Sequence, residues 1–175
     1  MITTWLLSSF KLSRENEFSI INSFTDLMGH THTRYQQIFN GIPIVDAIFI
    51  THAKDNKVYS INGKIYKDLN LKNNIILTEK EAFDNAISFV DAERYKWEMP
   101  EEEALLKRQT NNSEATYFPE GELTIIPDLD NNNYDDFYYA YVFNIYADKP
   151  LRRSDFYVDA SNGDILFENK TIKTA

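Results

Sequence analysis

Apolar and polar residues alternate along the first third of the chain in short runs that turn-forming residues separate. The four runs cover residues 17–25, 31–39, 43–52 and 57–62. Alternation with a period of two is typical of strands that bury one face, and Asn40-Gly41 tolerates the positive φ angles that a tight hairpin requires. The pattern therefore predicts an antiparallel meander. Residues before about 17 are predicted to form a helix capped by Ser8 or Ser13.

A second block follows a polar segment, residues 68–74, that we interpret as a joint. It opens with Thr78-Glu79-Lys80-Glu81, which has the form of a capping box, because a threonine and a glutamate three residues later can bond each other's backbone N–H. Apolar residues then recur with helical spacing. This spacing predicts a helix over residues 79–92 whose apolar face packs on a sheet.

The rest of the second block reads as one shorter helix and a return to strands. The helix is predicted from Pro100 to Arg108, because its acidic residues come first and its basic residues last, as the helix dipole favours. The predicted strands cover residues 116–118, 122–127, 137–147, 153–159 and 165–168. The fold class is therefore α+β, with two tandem small units, 1–74 and 75–175, each an antiparallel sheet with a helix packed on one face.

Composition and charge narrow the classes of function. The chain has 175 residues, of which 43% are apolar and 14% aromatic, too rich for a disordered protein. Residues 1–75 carry eight Lys/Arg and six Asp/Glu, whereas residues 76–175 carry ten and twenty-one, which gives net charges of +2 and −11. The acidic half argues against nucleic-acid binding. We interpret its charges as solvated faces; docking on a basic partner is the alternative.

No apolar run approaches the roughly 20 residues of a membrane span, and no signal-peptide pattern is present in this chain. The absence of cysteine excludes a thiol nucleophile and a cysteine-ligated zinc. We expect no cofactor.

One stretch of the first block resembles a known signature. It is similar to the propeptide module, FTP, shared by fungalysin-like and thermolysin-like secreted zinc peptidases. The matching residues are Gly29, His32, Arg34, Gln37, Gly41, Pro43 and Val45. The chain departs from the pattern at Asp46-Ala47, where the family usually carries glycine, so the backbone is expected to differ there.

The second block resembles a PepSY-type module. Such modules end with a strand, a Val-Asp-Ala-x-x-Gly turn and another strand, and here the turn lies at residues 158–163. Asp159 can bond backbone N–H groups of its own turn, and Gly163 suits a left-handed position. The order of the two modules, over about 17–168, resembles the proregion of thermolysin-like peptidases.

The resemblance implies a function without catalysis. Similar proregions assist the folding of an attached zinc metallopeptidase domain and inhibit it until cleavage, so the implied partner is that domain and the implied location is outside the cell or in the cell envelope. The alternative is a stand-alone exported PepSY-type binding or peptidase-inhibitor module. An enzyme in its own right is a third and weaker reading.

The C-terminal residues 168–175 are the candidate inhibitory segment. They are predicted to leave the last strand, and extended segments of this kind can pair with the edge of a cleft. Thr171 and Ile172 are the candidate cleft contacts, and the bond between them is the candidate processing site. The alternative is that the segment is a linker and cleavage falls beyond Ala175.

Candidate chemistry within the chain is sparse. Histidine occurs only at 30, 32 and 52, so the zinc-peptidase motif His-Glu-x-x-His is absent from the sequence. His30 and His32 share a face of a predicted strand and with His52 could hold a metal, but we interpret His32 as a packing or hydrogen-bonding residue. Arg34 and Gln37 are expected to form hydrogen bonds within the protein.

The segment Asp128-x-Asp130-x-Asn132 imitates the start of a calcium-binding EF-hand loop. It lacks glycine at the sixth position, Asn133, and glutamate at the twelfth, Tyr139. We interpret residues 128–136 as a solvated loop between two strands.

Overall fold

The computed structural model describes residues 2–129 and 133–172. Three α-helices and ten strands are found in this part of the chain. The helices are α1 (Ile2–Phe10), α2 (Glu79–Val90) and α3 (Pro100–Thr110). The strands are β1 (Asn16–Thr25), β2 (His30–Phe39), β3 (Ile42–Lys54), β4 (Lys57–Gly63), β5 (Asn70–Leu71), β6 (Arg94–Tyr95), β7 (Glu122–Asp128), β8 (Asn133–Lys149), β9 (Arg152–Asp159) and β10 (Ile165–Lys170).

The strands form one mixed sheet built from two antiparallel parts. The first part is β1 to β4 and the second is β7 to β10, each with consecutive strands side by side. They meet where β3 and β7 run parallel at Ile44 and Ile125. The α+β fold class is confirmed, and each predicted meander is observed. The division of the chain at residues 74 and 75 stays a prediction.

Each part of the sheet has a helix on one face, as predicted. Leu6 of α1 is buried with Tyr35 and Phe49, whose rings stack 5.0 Å apart. On the second part, α2 buries Ala82, Ala86 and Val90 against Phe143 and Phe156 of β8 and β9, with Phe83 and Ile87 packed around them. A third cluster, around Ile44, Ile125 and Phe137, fills the junction.

The capping box of α2 is confirmed. Thr78 accepts the backbone N–H of Glu81 at 3.3 Å, and the Glu81 carboxylate accepts the backbone N–H of Thr78 at 2.8 Å. Hydrogen bonds from the backbone N–H and the hydroxyl of Thr78 hold the pKa of Glu81 below its usual value, so the carboxylate is charged at neutral pH. The predicted second helix is also present as α3, with Pro100 at its start.

Two local predictions are wrong, and two short strands were not predicted. Helix α1 begins at Ile2, so Ser8 lies inside it and Ser13 follows it rather than capping it. The segment interpreted as a joint contains β5, which pairs with β8, and the Asn70 side chain donates to Asp136 of β8. Residues 116–118 form no strand, and β6 was missed because two residues carry no periodicity.

The acidic segment 128–136 is a loop only in part. Asp128 ends β7, and residues 133–136 already belong to β8. The predicted positions Asp130 and Asn132 lie outside the described residues. In the part of the chain that the structure describes, no helix is long and apolar enough to cross a membrane.

Candidate functional site

The signature residues begin in the tight turn between β1 and β2. Gly29 has a φ of +78°, a conformation that side chains with a Cβ rarely adopt. Asp26 closes the turn by accepting the backbone N–H groups of Met28 and His30, each at 2.9 Å. The bond from the His30 backbone is the first cause that holds the pKa of Asp26 below its usual value. The carboxylate is therefore charged where it meets His32.

His32 lies in the middle of a chain of hydrogen-bonding groups that crosses the sheet. Its Nε2 is 3.3 Å from Asp26 Oδ2, and its Nδ1 is 2.6 Å from His52 Nδ1. His52 Nε2 is in turn 3.3 Å from Asn62 Nδ2. One arrangement satisfies every atom: Asn62 donates to His52, His52 donates to His32, and His32 donates to Asp26. This series of hydrogen bonds ties β2, β3 and β4 to the turn.

The three histidines do not form a common metal site. His30 Nδ1 contacts the Tyr59 hydroxyl at 2.9 Å instead of joining the other two imidazoles. Both ring nitrogens of His32 and of His52 already have a partner within hydrogen-bonding distance. Within residues 2–129 and 133–172, no group of three or more His, Cys, Asp or Glu side chains is placed to hold a metal ion.

Arg34 and Gln37 lie on opposite faces of β2 and differ in role. The Arg34 side chain is exposed, and no hydrogen bond or ion pair joins it to another described residue, so the intramolecular bond expected of it is not observed among them. It borders a shallow depression of about 230 Å³ that Phe24, His32 and His52 also line.

Gln37 is completely buried and joins three segments of the first part. Its Nε2 donates to Asn16 Oδ1 at 2.6 Å and to the Tyr66 carbonyl at 2.7 Å, while its Oε1 accepts the Tyr66 backbone N–H at 2.9 Å. The hydrogen bonding expected of Gln37 is thus confirmed. These bonds fix the start of β1 and the chain after β4 to the C-terminal part of β2.

The remaining signature residues shape the hairpin into β3. Asn40 and Gly41 both have positive φ, +50° and +79°, as a two-residue hairpin turn requires. The Pro43 carbonyl accepts the Thr124 hydroxyl at 2.9 Å, which helps to join the two parts of the sheet. Val45 is half-buried beside this junction.

Asp46 takes the backbone conformation for which glycine is suited. Its φ is +60°, in the left-handed region. This angle gives no support to the expectation that the backbone changes where Asp46-Ala47 replaces the glycine that the family usually carries. Ala47 is buried in the junction cluster, where a larger side chain would have less room.

The turn at residues 158–163 is built as the sequence predicts. Asp159 is buried, and its Oδ1 accepts the backbone N–H of Ser161 at 2.6 Å and the side chain of Asn73 at 2.8 Å. Gly163 has a φ of +84°, and a Cβ there would lie 2.5 Å from Asn85 Nδ2 of α2. The glycine therefore allows both the turn and its close approach to the helix.

Asn73 is a structural residue that sequence reasoning missed. Besides Asp159, it bonds both backbone groups of Tyr139: its Oδ1 accepts the N–H at 2.8 Å and its Nδ2 donates to the carbonyl at 2.9 Å. It fastens the segment before α2 to the centre of the second part of the sheet. An asparagine in a polar run gives no periodic signal, so the sequence could not single it out.

The C-terminal segment stays on the sheet further than the sequence predicts. Strand β10 continues to Lys170. Its Glu168 carboxylate accepts hydrogen bonds from Arg152 Nη2 and Ser154 Oγ of β9, each at 2.7 Å, and these bonds hold the end of the strand on the sheet. Beyond it, the backbone N–H groups of Thr171 and Ile172 meet the Arg153 carbonyl at 3.0 and 3.3 Å. The prediction that the segment leaves the sheet at 168 is therefore wrong.

Comparison with known proteins agrees with the resemblance in the first block. Residues 16–65 match the model of the Fungalysin/Thermolysin Propeptide Motif. Bacillolysin of Bacillus amyloliquefaciens is 36% identical over 80 residues, which are 44% of this chain and 15% of that protein. Thermolysin of Alicyclobacillus acidocaldarius subsp. acidocaldarius is 35% identical over 51 residues, 29% of this chain and 9% of that protein. The chain is thus similar to the N-terminal regions of thermolysin-like precursors.

The chain spans less than a sixth of the length of these relatives. Among solved structures, the Bacillus megaterium YpeB C-terminal domain aligns with 97% of this chain and 62% of its own, at 13% identity and a TM-score of 0.44. A similarity of this size supports no statement about function. The PepSY nature of residues 75–175 therefore stays a prediction from the sequence.

Proposed function

We propose that this chain is the non-catalytic proregion of a thermolysin-like zinc metallopeptidase, which it helps to fold and keeps inactive. The match of residues 16–65 to the propeptide motif carries the proposal. The geometry supports it, because the signature residues with known contacts hold the fold together instead of lining a catalytic centre. The proposed location, outside the cell or in the cell envelope, follows from the proposed partner.

We expect the chain to assist folding by acting as a template to which the folding peptidase binds. A peptidase can owe its persistence to a high barrier to unfolding, and where the barrier to folding is also high it folds slowly without help. A rigid partner that binds the folded-like transition state lowers that barrier, and the same contact blocks the cleft if it persists. The joined sheet of this chain provides a rigid body for this role, because the bonds of Gln37 tie separate segments to the sheet and those of Asp159 fix the turn that follows β9.

A refolding assay tests the proposal. A thermolysin-like catalytic domain is unfolded and refolded with and without the chain in trans, and its activity is measured after the chain has been removed by proteolysis. We expect a higher yield of active peptidase with the chain and inhibition of already folded peptidase by added chain. Failure of both across close relatives would refute the proposal and favour the alternative, an exported PepSY-type binding module.

The segment after β10 is the proposed contact with the peptidase cleft. The structure sharpens the experiment, because removing residues from 168 onwards would also break the Glu168–Arg152 pair. A chain that ends at Lys170 keeps this pair and lacks Thr171 and Ile172. We expect it to inhibit more weakly than the full chain. Equal inhibition would place the inhibitory contact on the folded surface.

The proposal also implies that the purified chain hydrolyses no peptide. It has neither the His-Glu-x-x-His ligands nor the glutamate base that a zinc-peptidase centre requires. Casein cleavage is measured with and without added zinc, and His32→Gln serves as a control. Zinc-dependent cleavage by the homogeneous protein that the substitution abolishes would overturn this part of the proposal.

A further inference from the structure

His32 and His52 meet across β2 and β3 through the same ring atom. Their Nδ1 atoms lie 2.6 Å apart, within hydrogen-bonding distance. Such a bond needs one nitrogen that carries a proton and one that does not, because a ring nitrogen cannot donate and accept at once. The contact between the two rings, the histidine pair, therefore persists only while at least one of these two nitrogens is without a proton.

The histidine pair can take up one proton without losing this bond. In the arrangement that satisfies every atom, His52 donates from Nδ1, so an added proton goes to its Nε2, which faces the Asn62 side chain at 3.3 Å. A half-turn of the Asn62 amide then presents its oxygen as the acceptor. The bond between His32 Nε2 and Asp26 is unchanged by this step.

A second added proton breaks the bond. It must bind His32 Nδ1, because the other three ring nitrogens of the pair already carry protons. Two N–H groups then point at each other, and two positive charges lie side by side where the His32 side chain is only 20% exposed and water screens them poorly. The rings relieve this contact by moving apart, which disconnects β3 and β4 from the turn at Asp26.

The surroundings do not offset this second charge. The titratable or charged residues around the pair are Asp26 in the turn, His30 and Arg34 on β2, Lys54 on β3, and Lys57 and Tyr59 on β4. Strand β1 contributes the uncharged Phe24, whose ring lies 5.0 Å from that of His32, and α1 packs on the opposite face of the sheet. Asp26 is already shared with two backbone N–H groups, and the three cations add positive charge.

We infer that the histidine pair is a pH-sensitive switch in the first part of the sheet, closed with no or one added proton and opened by the second. In the unfolded chain the two imidazoles are far apart, so the unfolded state binds more protons than the folded state in acid. The stability of the fold therefore decreases as the pH falls. Imidazoles ordinarily change charge between about pH 5 and 8, so the loss begins at milder acidity than the protonation of carboxylates.

A nuclear magnetic resonance titration of the ring nitrogens tests the switch in the whole chain. The nitrogen shifts report the protonation of each ring between about pH 8 and 4.5, with EDTA present to exclude stray metal. In the wild-type chain the histidine pair should titrate in two steps more than about one pH unit apart. His52→Asn replaces one ring by an amide that donates to His32 Nδ1 but gains no proton, so His32 should then titrate in a single step.

Urea unfolding at about pH 7 and 5 measures the consequence for stability. Between these pH values the unfolding equilibrium constant should rise about tenfold more in the wild-type chain than in His52→Asn, because the amide can turn to accept the proton of a charged His32. His30→Asn is the matched control. His30 contacts the Tyr59 hydroxyl, which can donate or accept, so this ring keeps its partner in either charge state and the control should follow the wild-type chain.

Three outcomes would overturn the switch. The first is that each ring of the wild-type pair titrates in one step, as if the other were absent. The second is an equal loss of stability in the wild-type chain and His52→Asn, and the third is that His30→Asn reduces the loss as much as His52→Asn does. The titration of the wild-type chain needs no variant, so it decides even if a variant fails to fold. No peptidase enters either experiment, so the outcome does not depend on the proregion proposal.

Discussion

Replacement of Gln37 by leucine tests whether the signature glutamine is a structural residue. Leucine has a similar volume, so the change removes hydrogen bonds with little loss of packing. It leaves three buried partner atoms without their bonds: Asn16 Oδ1, the Tyr66 carbonyl and the Tyr66 backbone N–H. An unsatisfied buried polar group costs about 1–3 kcal/mol. Since local relaxation recovers part of this, we expect a loss of about 3–5 kcal/mol in the free energy of unfolding.

Urea unfolding followed by tryptophan fluorescence measures this loss. The chain has two tryptophans, Trp5 in α1 and Trp97 beside α3, so Trp97→Phe leaves a probe that reports on the first part of the sheet. In this background Gln37→Leu should lower the unfolding midpoint. Its matched control is Arg34→Leu on the same strand, which breaks no bond to the described residues and should change the free energy of unfolding by about 0.5 kcal/mol or less.

The size of the effect decides the argument. A loss below about 1 kcal/mol for Gln37→Leu would mean that water or a shifted chain replaces the lost bonds. A loss for Arg34→Leu equal to that of Gln37→Leu would mean that position on the strand, not burial, sets the cost. Either result would remove the structural explanation of Gln37 in the signature.

Three further predictions follow from individual contacts. Asp46→Gly should raise the free energy of unfolding by about 0.5 kcal/mol, because it relieves a left-handed residue at a small entropic cost; a lower thermal midpoint would contradict this. Gly163→Ala should lower the free energy of unfolding by about 2–3 kcal/mol. Adding Asn85→Ala should recover the part of this loss that comes from the clash between the new Cβ and Asn85; full recovery would mean that the positive φ of residue 163 carries no strain. The Arg152 guanidinium holds the pKa of Glu168 below its usual 4.5, so the pair stabilises the fold above that pH and is lost as pH falls through the lowered value. Glu168→Gln should therefore cost about 1–2 kcal/mol at pH 7 and progressively less below pH 4.5, as urea unfolding at each pH would show.

The candidate site was predictable from the sequence where local chemistry determines it. The hairpin at Asn40-Gly41, the capping box at Thr78 and the turn at Asp159 each involve residues within a few positions of one another. Local bonds of this kind depend on the order of residue types, which the sequence gives directly. Their predicted forms are therefore the ones that the structure reproduces.

Contacts between distant residues were not predictable in the same way. Nothing in the sequence indicates that Gln37 meets Tyr66 or that Asn73 bonds Tyr139, because these pairs lie 29 and 66 residues apart. The end of β10 was also misjudged, since its polar residues follow β9 through contacts such as the pairing of Glu168 with Arg152 and Ser154. Polar residues that gain partners by tertiary folding look the same in a sequence as residues that face water.

The sequence by itself determined the two meanders, the helix between them and the likeness of residues 16–65 to a propeptide, because periodicity and short motifs encode these features. Only the tertiary structure decided that the two antiparallel parts join at Ile44 and Ile125, and that β1 is left as an open, apolar edge. The physical reason is that an edge is defined by which strands fail to pair. That outcome depends on the packing of the whole sheet and not on the residues of β1 alone.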